Sequence, residues 1–248
     1  MKRISLMLAL ALPLSTWAQT PLESARDAVE AGDYEEAVRI YSELADTGDN
    51  KAKYNLALMY TSGTGVAKDR AKGMALLEEA AKELPAAQYM LGSALLFGED
   101  GMTLYEAPSM QSHNTPSQAD RDRGMALIRQ AAEQELPLAE DFLAQAYQGN
   151  YGVPADGKEA LFWLEKGVAR GSSEAMYELG SFYLAGMPGI PSDCRKALHW
   201  FGETGKAGDW TGYAQISRMY AEGVCVPHDA GKAQLWQAIS GYFMTRQS

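Results

Sequence analysis

Cysteine is nearly absent from this sequence, 2 in 248 residues, which excludes a mini-protein stapled by disulfides. Proline stands at 10 and histidine at 3, and glycine, at 24, follows no three-residue period, so a collagen-like fibre is excluded as well. Positive charge is in deficit. The 22 Lys plus Arg face 32 Asp plus Glu, a formal charge of −10 that disfavours a phosphate backbone or an anionic membrane surface as partner. Nucleic acid is therefore not an expected ligand. What remains, 46% hydrophobic and 22% charged, is the composition of an ordinary folded chain of one or two domains rather than a disordered polymer.

The apolar run nearest the N-terminus, Ile4 to Leu14, follows Lys2 and Arg3 and precedes Thr16-Trp17-Ala18, whose small residues stand where a signal peptidase reads. As a helix it spans roughly 16 Å, about half a hydrocarbon core, too short for a permanent anchor. Residues 1–18 are expected to be a cleaved signal peptide, leaving 19–248 as a single domain with no integral membrane segment. With no Cys beside the cleavage site, a lipid anchor is not expected. The expected location is a bacterial periplasm, and the mature chain is more negative still.

Repetition is the strongest feature of that mature chain. Asp33, Asp69, Asp120, Asp156, Asp193 and Asp229 recur at intervals of 36 or 37 residues, with a single interval of 51. Four residues after each stands a small residue (Ala37, Gly73, Gly124, Ala160, Ala197, Ala233), and seven after stands a large apolar one (Ile40, Leu76, Leu127, Trp163, Trp200, Trp236). Upstream, Leu56-Ala57, Leu91-Gly92, Leu143-Ala144, Leu179-Gly180 and Ile216-Ser217 each lead, four residues on, to Tyr60, Leu95, Tyr147, Tyr183 or Tyr220, the spacing of one helix face. A Gly-containing turn follows, and the repeated Asp fits an N-cap, its carboxylate accepting from unpaired backbone N–H groups. Each unit reads as helix, turn and capped helix, with matched small residues letting the two helices approach.

Such a unit cannot bury enough surface to fold alone, so stacking is obligatory. The expected architecture is all-α: a right-handed α-solenoid of about six antiparallel helix pairs, in units near 22–50, 51–85, 86–137, 138–173, 174–210 and 211–244. The long interval places an inserted loop at 99–118, rich in Pro, Ser and polar groups. It is either a tolerated surface insertion or a recognition loop with Met102, Leu104, Tyr105 and Met110 as apolar contacts.

Stretches such as Ala52 to Tyr60 leading to Gly63-Thr64-Gly65-Val66-Ala67-Lys68-Asp69, and Ala175 to Tyr183 leading to Lys196-Ala197-Leu198-His199-Trp200, resemble the Sel-one-like repeat, a relative of the tetratricopeptide repeat. The first unit, Ala31 to Ala37, has the shorter turn of a tetratricopeptide repeat. The resemblance, over about residues 22 to 244, implies a solenoid that binds proteins or peptides, often on its concave side. Mapping the repeat onto its relatives selects Tyr54, Tyr89, Asp141 and Tyr177, two residues before the helix Leu, and Ser181 and Arg218, two after the equivalent position, as groove residues. The alternative is that such tyrosines pack between neighbouring helices.

Three classes of function follow. The first is a periplasmic module holding a protein or peptide partner in the groove and expected to be monomeric. The second is an immunity protein neutralising a secreted toxic effector such as a type VI lipase, for which acidity would suit a basic partner. The third is a hydrolytic enzyme, a suggestion attached to cysteine-rich relatives. Against catalysis, no Gly-x-Ser-x-Gly, Ser-x-x-Lys, His-Glu-x-x-His or Cys-x-x-Cys motif is present, and His113, His199 and His228 occupy unrelated repeat positions. No enzyme, cofactor or metal is expected. Cys194 and Cys225 fall in adjacent repeats near one edge. A disulfide between them is chemically allowed in an oxidising compartment, two free buried thiols being the alternative, and the resemblance implies bridges within a repeat more often.

Overall fold

The computed structural model describes residues 19–97 and 116–246, so the signal segment and most of the inserted loop, with His113, lie outside the described residues. Those described form twelve α-helices in six consecutive hairpins: α1 (Pro21–Glu30) with α2 (Tyr34–Asp46), α3 (Asn50–Ser62) with α4 (Arg70–Ala80), α5 (Pro85–Phe97) with α6 (Gln118–Glu133), α7 (Pro137–Ala146) with α8 (Gly157–Ala169), α9 (Ser173–Ala185) with α10 (Cys194–Lys206), and α11 (Thr211–Glu222) with α12 (Ala230–Met244). Among the described residues no strand forms; a single bridge, Met187 to Ile190, closes the turn before α10. The all-α stack of helix pairs expected from the repeats is what the chain adopts. It divides into two compact units, Met1–Leu76 and Leu77–Ser248.

In the first unit Ala25, Ala37, Tyr41, Ala45, Ala52, Leu56 and Met59 form a buried core, with Ile40 and Leu76 packed against it. In the second, each helix from α5 to α12 packs on the next in chain order, and a core runs from Phe97 and Ile128 through Leu143, Trp163, Leu164, Leu179 and Phe201 to Met219. This nearest-neighbour layering is what a unit too small to fold alone requires. Full burial of Trp163, Phe201 or Leu143 contributes about 2–3 kcal/mol each relative to exposure.

The recurrent aspartates act as caps at five of six places. Asp33 accepts from the backbone N–H of Glu36, Asp69 from Lys72, Asp156 from Lys158 and Glu159, Asp193 from Arg195 and Lys196, and Asp229 from Lys232. Asp120 departs from the expectation. Helix α6 starts three residues earlier, capped by Ser117, whose hydroxyl donates to the Asp120 carboxylate at 2.6 Å and accepts from its backbone N–H at 3.1 Å. The Ser117 hydroxyl thus satisfies one backbone donor of the helix start, and Asp120 joins the first turn, where its charge suits the helix end.

At all five of these starts the cap residue also donates its own N–H to the last turn of the preceding helix: Asp33 to the Ala28 carbonyl, Asp69 to Tyr60, Asp156 to Tyr147, Asp193 to Tyr183 and Asp229 to Tyr220, all at 2.8–3.0 Å. Three residues after the cap, Lys72, Lys196 and Lys232 lie over the rings of Tyr60, Tyr183 and Tyr220 at 4.2, 4.5 and 5.1 Å. Unit 138–173 has Glu159 at that position, and Arg129 arrives from α6 to bond both Glu159 and the Tyr147 hydroxyl. The turn itself needs left-handed backbone: Gly65 has φ +70°, and at the matching step before Asp229 Cys225 has φ +66°.

Candidate functional site

Side chains link the first helices α5, α7 and α9 in turn, Tyr89 reaching Phe142 and Gln145 reaching Glu178, and one face of them gathers polar and aromatic groups. Tyr89 on α5 meets the Phe142 ring edge-on at 6.2 Å, and Phe142 stacks on Tyr151 at 4.9 Å. Tyr151 belongs to a short 3-10 turn, Asn150–Gly152, and takes φ 59° there, which turns its ring back over α7. Its hydroxyl donates to Gln145 Oε1 at 2.8 Å, and Gln145 Nε2 donates to Glu178 Oε1 at 2.9 Å, so α7 is tied to α9.

Between α7 and α9 lies a hollow lined by Asp141, Ala144, Trp163, Leu164, Glu174, Ala175 and Glu178. Its floor is apolar and its rim is three carboxylates. Partial burial, followed by the negative charge of Glu174, pushes the Asp141 carboxyl up to about 6. Burial also raises Glu178, with Glu174 and Asp141 adding to the effect against the opposing hydrogen bond from Gln145. Behind this rim Glu140, only 2% exposed, is ion-paired with Arg170 at the end of α8. The second Arg170 nitrogen stands 3.7 Å from Asp141, too far for a hydrogen bond. One guanidinium thus lies within ion-pair reach of both Glu140 and Asp141.

Of the residues selected from sequence, Tyr89 and Asp141 stand on this face together. Tyr177 and Ser181 are half-buried on α9, on the helical side shared with Glu174 and Glu178, and the Tyr177 ring is tilted against Phe201 at 5.4 Å. Arg218 on α11 is exposed and pairs with Glu222 on its own helix at 2.9 Å. Tyr54 is half-buried on α3 in the first unit. Met102, Leu104, Tyr105 and Met110 lie outside the described residues. Sequence reading passed over Glu174, Glu178 and Tyr151. A like-charged pair at i and i+4 on one helix, unfavourable by a few tenths of a kcal/mol, was the available signal for the first two.

Cys194, at the first position of α10, and Cys225, in the turn before α12, are joined by a disulfide with Cα atoms 5.2 Å apart. His199 rests edge-on against Trp200 at 4.9 Å. Among the described residues no group of three or more His, Cys, Asp or Glu is placed to hold a metal ion, and no helix is long and apolar enough to cross a membrane.

A family model described as Sel1 repeat matches residues 50–83, 85–104, 115–136, 137–172, 173–209 and 211–236. The chain is similar to the DAP3-binding cell death enhancer 1 of Rattus norvegicus, 26% identical over 159 residues, which is 64% of this chain and 28% of that relative's length. Two solved structures share the fold. One is a Sel1 repeat protein from Oxalobacter formigenes, at TM-score 0.67 and 22% identity, covering 90% of this chain and 83% of that one. The other is c5321, a protective antigen of uropathogenic Escherichia coli strains, at TM-score 0.66 and 23% identity, covering 90% of this chain and 49% of that one.

Proposed function

The chain belongs to the Sel1 repeat family, whose repeats generally mediate protein interactions, and we propose on that footing that it is an exported module holding a protein or peptide partner on the face made by α5, α7 and α9. The observation that carries this reading is the concentration of half-buried tyrosines and polar side chains on neighbouring first helices, Tyr89, Asp141, Gln145, Tyr177 and Glu178, joined by Tyr151 from the turn after α7, around a shallow hollow with an apolar floor. Tyrosine offers a broad apolar body, one hydroxyl and few rotors to freeze on binding. The protein acts by presenting this surface, as a single copy and without chemistry of its own. The positive head and short apolar run at the N-terminus, together with a disulfide, support a periplasmic setting.

The test is capture from an envelope extract of the native organism by purified mature protein, compared with the Tyr89→Ala/Tyr177→Ala double variant. Loss of the captured species with unchanged helicity supports the face. Equal capture by the variant rejects it. Sequencing the N-terminus of protein recovered by osmotic shock checks the location, which retention of Met1 in the cytoplasm would exclude.

A further inference from the structure

We propose that the outward side of the second helices α8, α10 and α12 is a further docking surface, and that its occupant is an acidic, amphipathic segment of a partner protein. The inference goes beyond the face made by α5, α7 and α9 and does not depend on it.

The three helices belong to consecutive hairpins, so residues at equal distance from the cap Asp share one side of the stack. Their starts are held in a row. A Cβ added to Gly157, the first residue of α8, would stand 3.3 Å from the Met187 Cβ and the Pro188 carbonyl oxygen in the turn before α10. The disulfide then joins Cys194, the first residue of α10, to Cys225 in the turn before α12. Phe162, His199 and Leu235 stand six residues after their caps, and Tyr242 follows Leu235 by two helical turns on the same side. Among the described residues the three most exposed large apolar side chains are Leu235 at 58%, Tyr242 at 56% and Phe162 at 49%. They contribute little to the core, and apolar groups gathered on one outer side mark an interaction surface.

The charges beside them select the occupant. Lys158 and Arg195 are exposed two residues after their caps, and Lys166 lies over the rings of Phe162 and Trp163 at 5.5 and 5.3 Å. Among the described residues no carboxylate pairs with any of the three, and the neighbouring Asp156 and Asp193 accept from backbone N–H groups. A cation in the first turn opposes the helix dipole, so helix stability does not account for Lys158 or Arg195. Nor is this the habit of the repeat: two, six, ten and thirteen residues after Asp120, α6 carries Asp122, Ala126, Gln130 and Glu133, where α8 carries Lys158, Phe162, Lys166 and Ala169. A chain of formal charge −10 thus turns a side with unpaired cations and bare apolar groups outward. Carboxylates alternating with apolar side chains complement both. An anionic bilayer would meet the charge of the whole chain, whereas a short segment feels what lies within a Debye length of about 8–10 Å, which favours the segment.

The experiment titrates fluorescein-labelled peptides of alternating Glu and Leu, Ser and Leu, and Lys and Leu into the mature protein by anisotropy, with amide shifts mapped by NMR. The Glu-Leu peptide is expected to bind about tenfold or more tightly than the other two and to shift resonances of α8, α10 and α12. Lys158→Glu/Arg195→Glu should weaken it at least tenfold, whereas Lys51→Glu/Lys68→Glu, which changes net charge equally in the first unit, should not. Phe162→Ser/Leu235→Ser, at exposed positions, should weaken it several-fold with helicity unchanged. Equal loss in the two charge-reversed proteins would reduce the effect to net charge and overturn the inference. Equal binding of the Ser-Leu peptide, or shifts confined to α5, α7 and α9, would overturn it too, the latter leaving the reading of that face intact. Shifts of α8, α10 and α12 that grow with protein concentration alone would assign the surface to a second copy. The same shifts produced by phosphatidylglycerol vesicles and by no peptide would assign it to lipid, and either result sinks the proposal.

Discussion

Gly92 and Gly124 lie back to back where α5 crosses α6: a Cβ added to Gly92 would come 2.7 Å from the Gly124 carbonyl oxygen, and one added to Gly124 would come 2.8 Å from that of Gly92. The helices meet backbone to backbone. The same crossing recurs in other hairpins with Ala57 against Gly73 and with Ser217, whose hydroxyl donates to the Ala233 carbonyl at 2.8 Å. The small residues of the repeat thus set the distance between paired helices.

Gly124→Ala is accordingly expected to lower stability by about 1–2 kcal/mol, the overpacking outweighing the gain in helix propensity. Gly202→Ala, in α10 with open space around its Cα, should stabilise by up to about 1 kcal/mol. Urea unfolding of the two variants checks the contrast, and a stabilised Gly124→Ala protein would contradict the close crossing.

Removing Arg170 should leave Glu140 buried without its counter-charge. Arg170→Met is expected to cost about 3 kcal/mol, and Glu140→Gln added to it should recover more than about 1 kcal/mol, because the cost lies in the stranded carboxylate. A double-mutant cycle by thermal unfolding measures it; additive losses would show the pair uncoupled.

The Asp141 carboxyl titrates at about 6 when folded against 3.8 ordinarily, so the folded chain takes up its proton more readily than the unfolded one. Its unfavourable contribution is present above about pH 6 and fades as the pH falls toward 4. Asp141 faces Glu174 and Glu178 from α9, Tyr89 from α5 and Arg170 from α8. Asp141→Asn should therefore raise stability at neutral pH, by about 1 kcal/mol once solvent screening of this half-exposed group is allowed for. The advantage should vanish near pH 4. A gain independent of pH would assign the effect to something other than charge.

Reduction of the Cys194–Cys225 bridge, which closes a separation of 31 residues, should cost about 3–4 kcal/mol. Cys225 also holds a left-handed backbone angle that Gly65 takes in an earlier repeat. Cys194→Ser/Cys225→Gly should then be more stable than Cys194→Ser/Cys225→Ser by about 1 kcal/mol, since glycine enters that region freely. Chemical denaturation of both under reducing conditions decides it.

The repeat was legible because its signals are local. A cap must stand at a helix start, a small residue must face its partner at a fixed offset, and an apolar residue three on shares the face, so Asp193, Ala197 and Trp200 declare α10 before any coordinates exist. Asp120 shows the limit of that reading: Ser117 caps a start three residues earlier, accepting from the Asp120 N–H, so Asp120 falls inside the first turn rather than at its head. The lysines over Tyr60, Tyr183 and Tyr220 were equally periodic but obscured by Glu159, whose counterpart cation comes from another helix.

Sequence by itself thus determined the hairpins, their number and their order. Tertiary structure alone decided which carboxylates share a rim. Asp141 and Glu178 are more than thirty residues apart in sequence, and they influence one another because the fold brings α7 beside α9, where Gln145 bonds Glu178. Charge interaction depends on distance and burial, and neither is encoded in the spacing of a single helix.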